Sequence, residues 1–312
     1  MLISKKTPCI SVIIPTYNCA EYIRRSIDSV LAQNLLDIEI IVVDDASSDE
    51  TQDILNQYYN SDSRVVKFLH PENKGLGAAR NTGIDASKGV YIFFLDADDW
   101  LEKGTLVHLI SLARKKDLEI TACGINKVWP GGRKEIYHSE SFFCCGGQKA
   151  LCHLVDNQIG SVVWNKLYLR RFIEENYLRF TPYYYHEDVM FTIKAVYLCQ
   201  KYFSIHERYY NYFQRNGSII NSKSSRRHIE SYSNLYSNIV DFIKDNRIDA
   251  DEKGKLLSIA LLKTQCQTDD KTTISDGLIN IVRRYFSFVI YGRLRRPLRK
   301  IYYALKSGRL FS

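Results

Sequence analysis

Over the first hundred residues, short β-branched runs alternate with stretches of helical period, and this alternation constrains the fold more than any other feature. Runs at 10–14, 38–43, 65–69 and 90–95 are apolar throughout or nearly so, as expected of strands covered on both faces. Between the first two, Ile23, Ile27, Val30 and Leu31 recur at i, i+4, i+7 and i+8, which places them on one face of a helix. A second helix carries Ile54, Leu55 and Tyr58, with Ser47 or Ser48 offering its N-cap. The turn Asn73-Lys74-Gly75-Leu76-Gly77 leads into a third helix through Ala78, Ala79, Arg80 and Ile84. Parallel strands need a crossover of a dozen or more residues, and the helices supply it. The spacing predicts an α/β fold with a mostly parallel sheet flanked by helices.

The rest of the chain is less regular. A strand is expected over 119–128, a turn at Pro130-Gly131-Gly132, and then a mixed region rich in Tyr and Trp to about residue 216. Beyond 226 the pattern is helical and polar, and Leu294, Leu298, Ile301 and Leu305 fall on one helical face, so the reading ends in a C-terminal helical extension. The organisation is read as 1–115 and 116–225, two halves of one domain, followed by 226–312. At 312 residues the chain is long enough for that core and an added region.

Charge and cysteine usage bound the setting. The net charge of +8 is concentrated after Asp276, where nine basic residues and no acidic ones occur; the other 34 lysines and arginines face 35 acidic residues. Tyr285, Phe286, Phe288, Tyr291, Tyr302 and Phe311 lie among those arginines. Basic heads among aromatic bodies predict docking of this tail on an anionic membrane surface, whereas a nucleic-acid partner is not expected because the remaining chain is near neutral. No apolar run approaches the roughly 18 residues that span a bilayer, and the start, 1–8, lacks a signal-peptide core. The eight cysteines form no CxxC pair and read as reduced thiols. A cytoplasmic protein, peripheral on the inner face of the membrane, is the expected setting.

Chemistry gathers where the run 90–95 enters Asp96-Ala97-Asp98-Asp99-Trp100. Residues two apart in extended backbone point to one side, so Asp96 and Asp98 can converge on a divalent cation. Mg²⁺ or Mn²⁺ held by one or two carboxylates completes its shell with phosphate oxygens and water. The competing reading is that these aspartates cap a helix near Leu101. Carboxylates just past a strand's C-terminal end sit where open α/β sheets bind ligands. No G-x-G-x-x-G follows the first strand and no P-loop lysine motif occurs, which excludes the corresponding nicotinamide and ATP-hydrolysing classes. Gly75 and Gly77 make a simple turn or let backbone approach a nucleotide.

Four stretches in order carry a resemblance: Val12-Ile13-Ile14-Pro15-Thr16-Tyr17-Asn18, Val42-Val43-Asp44-Asp45-Ala46-Ser47, Gly77-Ala78-Ala79-Arg80-Asn81-Thr82-Gly83 and Phe94-Leu95-Asp96-Ala97-Asp98-Asp99. Residues 11–100 resemble the nucleotide-binding half of a family 2 glycosyltransferase of the Rossmann-like GT-A fold, of bacterial polysaccharide type. The resemblance implies that Pro15, Thr16, Tyr17 and Asn18 line the nucleoside pocket, with Tyr17 against the base and Asp45 accepting a uracil N–H. Asp44 is the alternative to Asp45. It further implies that Asn73, Gly75, Arg80, Asp96 and Ala97 lie on the donor side, and that Asp96 and Asp98 hold Mn²⁺ or Mg²⁺.

Val163-Trp164-Asn165-Lys166-Leu167-Tyr168 and Tyr185-His186-Glu187-Asp188-Val189 are similar to the W-x-K-L and E-D-V blocks of that family. By this resemblance Asp188 is the general base, with Glu187 as the alternative, and Lys166 reaches the diphosphate. Trp164 and His186 read as core and pocket-lining residues. Tyr212-Phe213-Gln214-Arg215-Asn216-Gly217-Ser218 resembles the segment that covers the donor phosphates, which makes Arg215 and Ser218 further candidates. The implied activity is inverting, metal-dependent transfer of a sugar from a nucleotide diphosphate sugar, a UDP-sugar, to a glycan or lipid-linked hydroxyl. The alternative is a non-catalytic nucleotide-binding relative that scaffolds a membrane assembly.

Overall fold

The structure is a computed structural model, and it describes residues 7–145, 147–155, 159–181, 185–215 and 226–248. The chain divides into two compact units, Met1–Asn216 and Gly217–Ser312. In the first unit the N-terminal elements are β1 (Ile10–Thr16), α1 (Ile23–Leu31), β2 (Ile38–Asp44), α2 (Thr51–Ser61), β3 (Val65–Leu69), α3 (Leu76–Ala86) and β4 (Tyr91–Phe94). They form the sheet order β3-β2-β1-β4, all parallel, with Ile10 opposite both Ile38 and Tyr91. Strand order reverses at β1, so the crevice beyond the carboxyl ends of β1 and β4 is the fold's ligand position.

Both faces of these strands are covered. Ile10, Val12 and Ile14 pack with Ile23, Ile27 and Val30 of α1 in one buried cluster, while Ile13 turns to α3 on the opposite face. There a Cβ on Gly83 would lie 2.3 Å from Ile13 Cγ2, so the helix rests directly on the strand. Neither Ser47 nor Ser48 caps α2: its N-cap is Glu50. Ser47 instead hydrogen-bonds Asp44 and the Asn18 amide, and Asn18 Oδ1 accepts from Ser48 N at 2.8 Å, a brace across the ends of β1 and β2.

The remaining elements are β5 (Trp100–Leu101), α4 (Thr105–Lys116), β6 (Ile120–Val128), β7 (Lys134–His138), β8 (Phe142–Cys145), α5 (Gly147–Val155), β9 (Lys166–Leu169), α6 (Arg170–Glu175), α7 (Glu187–Leu198) and β10 (Lys201–Phe213). The sheet continues from β4 as β9-β6-β10-β5, with β7 on β6 and β8 on β10. This half is mixed: β9 runs antiparallel to both β4 and β6, whereas β6 and β10 are parallel. The 1–115 and 116–225 segments therefore share one sheet through β9. A helix does not begin near Leu101, because Trp100 and Leu101 pair with Asn211 and Tyr210 as β5. The predicted turn at Pro130 is a tight reversal in which Gly131 and Gly132 take φ of +86° and +85°.

In the second unit α8 (Arg226–Asp245) buries Leu235, Ile239 and Phe242, one helical face. Ser218, the helix expected over 294–305 and the basic tail lie outside the described residues. Cys9, Cys19, Cys123, Cys144, Cys145 and Cys199 are free thiols. Among the described residues no helix is long and apolar enough to cross a membrane.

Candidate active site at the ends of β1, β2 and β4

Pro15 and Thr16 end β1, Tyr17 and Asn18 follow it, and Asp44 and Asp45 stand at the end of β2. Tyr17 is 47% exposed, a ring face open to solvent at the mouth of the crevice. Asp45 is buried with both oxygens engaged: Oδ1 pairs with His70 Nδ1 at 2.6 Å and accepts from Lys74 N, and Oδ2 accepts from Gly75 N at 2.7 Å. This carboxylate thus holds the turn containing exposed Asn73 against the sheet. Asp44 differs. Its Oδ1 is taken by Ser47, and its buried Oδ2 has no hydrogen-bond partner. Burial pushes the Asp44 carboxyl up, against the lowering effect of Ser47.

Gly75 has φ 86° and ψ 161°, a conformation open to glycine alone, and it starts α3. Gly77 serves packing. A Cβ there would sit 2.7 Å from Thr181 O and 3.2 Å from Glu187 Cγ, so α3 can approach the entry to α7 only with glycine at this position. One turn on, Arg80 is 1% exposed and bridges two carboxylates: Nη2 donates to Asp96 Oδ1 at 2.8 Å and Nη1 to Glu187 Oε1. Burial alone would lower its pKa, but Asp96, Glu187 and Asp188 outweigh burial and raise it. Arg80 therefore spends its charge on protein carboxylates that come from the donor turn and the acceptor-side helix.

The turn after β4 is fastened from several sides. Arg25 donates to Asp98 O at 2.7 Å and lies 3.9 Å over the Trp100 ring, and Tyr210 O–H donates to Asp99 Oδ2 at 2.6 Å. Phe213 N donates to Asp99 Oδ1 at 2.7 Å, and Asp96 N donates to Tyr210 Oη at 3.2 Å. Fully buried Asp99 is thus consumed by β10. Burial, then Asp98 and Asp96, push its carboxyl well above the usual range. Ala97 is buried beneath the turn.

Asp96 and Asp98 remain for a cation. Asp98 pairs with Arg215 through Oδ2 at 2.7 Å, and burial followed by the charge of Asp96 raises its carboxyl. Two neighbouring carboxylates form a hard-oxygen donor set suited to Mg²⁺ or Mn²⁺. Among the described residues no group of three or more His, Cys, Asp and Glu side chains is placed to hold a metal, so diphosphate oxygens and water would have to complete the shell.

Across Arg80 stands α7, with Glu187 and Asp188 in its first turn and His186 at its N-cap in the left-handed region. Glu187 is 7% exposed and locked to Arg80; burial pushes its carboxyl up despite that partner. Asp188 is partly exposed, and among the described residues its carboxylate makes no hydrogen bond. Lys166 departs from its expected place. It is fully buried, and Nζ donates to Gly160 O, Val162 O and Asn165 Oδ1 at 2.5–2.9 Å, so it clamps the 160–165 loop and does not face the donor crevice. Burial pulls its pKa down to about 7. Trp164 is core, stacked on Tyr210 with centroids 4.4 Å apart.

Arg25, His70 and Tyr210 are site residues that local sequence reading missed. Arg25 sits on the polar flank of an amphipathic helix, and Tyr210 arrives from more than a hundred residues away.

Residues 11–178 match the model of the glycosyl transferase family 2. The chain is 30% identical over 284 residues to EpsH of Bacillus subtilis, named as a glycosyltransferase, covering 89% of this chain and 82% of that one. It is 42% identical over 119 residues to the chondroitin synthase of Escherichia coli, but this spans 38% of the chain and only 17% of that longer protein. In fold it resembles S. aureus TarS 1–349 in complex with UDP-GlcNAc, with a TM-score of 0.73 and 20% identity over 96% of this chain and 88% of the other. Matched over more than half its length, and with the carboxylate turn at the end of β4, the chain belongs to glycosyl transferase family 2 and is a glycosyltransferase.

Proposed function

We propose that the chain transfers a sugar from a UDP-sugar, with inversion and with Mg²⁺ or Mn²⁺, to a hydroxyl of a glycan or lipid-linked acceptor in cell-surface polysaccharide synthesis. The observation that carries the reading is one buried arginine, Arg80, that bridges Asp96 of the turn after β4 and Glu187 in the first turn of α7, the residue next to Asp188. In this reading Tyr17 stacks on the base at the crevice mouth, and Asp96 and Asp98 are the residues that would hold the metal. The bound metal would supply positive charge to the leaving diphosphate. Asp188 takes the acceptor's proton as its oxygen attacks the anomeric carbon, and the bond from that carbon to the diphosphate breaks. Glu187, tied to Arg80, orients the turn that presents Asp188. The S. aureus TarS complex supports a nucleotide-sugar donor by analogy of fold.

The test is a panel of nucleotide sugars assayed for donor hydrolysis with Mg²⁺, with Mn²⁺ and with EDTA, followed by Asp188→Asn. Hydrolysis of a UDP-sugar that stops in EDTA is expected. Asp188→Asn should lower kcat for transfer by about 10²–10⁴-fold with donor KM unchanged. Full turnover in EDTA removes the metal from the reading, and undiminished transfer by Asp188→Asn moves the base elsewhere.

A further inference from the structure

We propose that the outward face of the β6–β7 hairpin is the acceptor subsite, and that it takes a saccharide bearing an acidic group. The inference rests on the transfer reading above and adds the class of acceptor. Lys127 and Trp129 are two residues apart and share a face, and Lys127 stands opposite Glu135 in the ladder, two residues before Tyr137. The three side chains meet: Lys127 Nζ lies 5.4 Å from the Trp129 centroid and 5.7 Å from that of Tyr137. Arg133 covers the other part of this platform, with its guanidinium carbon 4.1 Å over Trp129. The tight reversal at Gly131 and Gly132 is what folds Arg133 back onto that ring.

The platform is continuous with the reaction centre. Tyr137 lies 6.0 Å from Tyr212, Tyr212 5.2 Å from Trp164, and Trp164 4.4 Å from Tyr210, whose hydroxyl holds Asp99. The buried end of this ring series fixes the carboxylate turn, and the exposed end, Tyr137 at 53%, is open to a ligand. A saccharide lying on Tyr137 and Trp129 would occupy the open end of that series, whose other end holds the carboxylate turn.

Ligand class follows from the surface chemistry. An aromatic ring offers an apolar face to the C–H face of a pyranose while its polar edge stays wet. Arg133 lies 3.7 Å from Glu135 and Lys134 pairs with Glu102 at 3.1 Å, but among the described residues Lys127 has no carboxylate partner. Its ammonium is held over two ring faces with its N–H donors unspent on any anion. An acidic substituent on a sugar stacked at these rings, a uronate or a phosphate, is the complement of that charge.

The experiment is a glycan array carrying uronate-bearing, phosphate-bearing and neutral oligosaccharides, probed with the full chain in the presence of UDP and Mn²⁺. Retention of acid-bearing glycans is expected, and the array separates uronate from phosphate. Binding of those glycans should fall roughly tenfold in Lys127→Gln, the size of one charge-assisted hydrogen bond, and also in Tyr137→Ala, with the melting temperature of each variant as the folding control. Retention of neutral glycans alone, of none, or of the same acidic set with equal strength by Lys127→Gln overturns the proposal. Donor hydrolysis by the wild-type chain, run in parallel, keeps the two readings apart: hydrolysis without acidic-glycan binding defeats only the subsite, and acidic-glycan binding without hydrolysis defeats only the transfer reading.

Discussion

Arg80 and Lys166 are both fully buried cations, one under the donor turn and one behind the acceptor side, and their surroundings treat the charge in opposite ways. Arg80 lies between Asp96 and Glu187, and the carboxylates more than offset its burial. Lys166 meets two carbonyls and an amide oxygen, with Asp188 as a more remote charge, and burial prevails. A buried ion with ionised partners is a cross-brace between elements; a buried ion with neutral acceptors is a loop clamp sensitive to pH. Side-chain type alone does not separate the two. The partner set does, and it is assembled by tertiary structure.

The contrast can be broken most sharply at Arg80. Arg80→Met leaves Asp96 and Glu187 buried or half-buried without their shared cation, and removing one partner of a buried ion pair costs about 3–5 kcal/mol. Urea unfolding should show a loss of that size, and a loss below about 1 kcal/mol would mean that the bridge is not a brace. Lys166 comes next. Its folded pKa of about 7 lies below its ordinary value of 10.5. Between these values the unfolded chain binds a proton that the folded chain does not, so stability rises with pH from about 7 to about 10.5; it is lost as pH falls back across that range and is flat below about 7, where both states hold the proton. The gain from pH 7 to pH 9 is on the order of 2 kcal/mol. Lys166→Met should flatten that slope, and a wild-type profile already flat over this range would show that the three acceptors hold the ammonium charged. The smallest effect belongs to Gly77→Ala. Better helix propensity contributes about 0.5–1 kcal/mol, but overpacking against Thr181 O costs about 1–3 kcal/mol. A net loss of about 1 kcal/mol is expected in the unfolding midpoint, and a gain would show that the entry to α7 can retreat.

Sequence legibility follows the same division. β3 is Val65–Leu69 as read, and β1, β2 and β4 differ from the expected runs by one or two residues at their ends, because each parallel strand is a local apolar run that needs no distant partner for recognition. Asp96 and Asp98 are expected on one side of extended backbone, but the strand ends at Phe94 and residues 96–99 form a turn closed by Asp99 N donating to Asp96 O at 3.1 Å, so the two-residue rule does not describe their placement. What escaped was everything decided by pairing at long range. β9 is four residues long, and its place between β4 and β6 is visible only when both neighbours are known. The supposed cap of a helix near Leu101 became β5 because β10 supplies its partner. Lys166 was read as reaching the diphosphate, since nothing in Trp164-Asn165-Lys166 tells that the loop before it folds over the amine.

The fastening of Asp99 by Tyr210 and Phe213 also bears on how such enzymes can be recombined. The donor turn is encoded before residue 100, yet the hydroxyl and amide that shape it are encoded more than a hundred positions later. A chimera that joins this donor segment to another protein's acceptor segment would set a buried aspartate, its carboxyl raised first by that burial, against a strand not built to receive it. The two halves are thus inherited as a matched set, and a productive exchange of donor specificity has to keep Tyr210 and the Phe213 amide with the turn they hold.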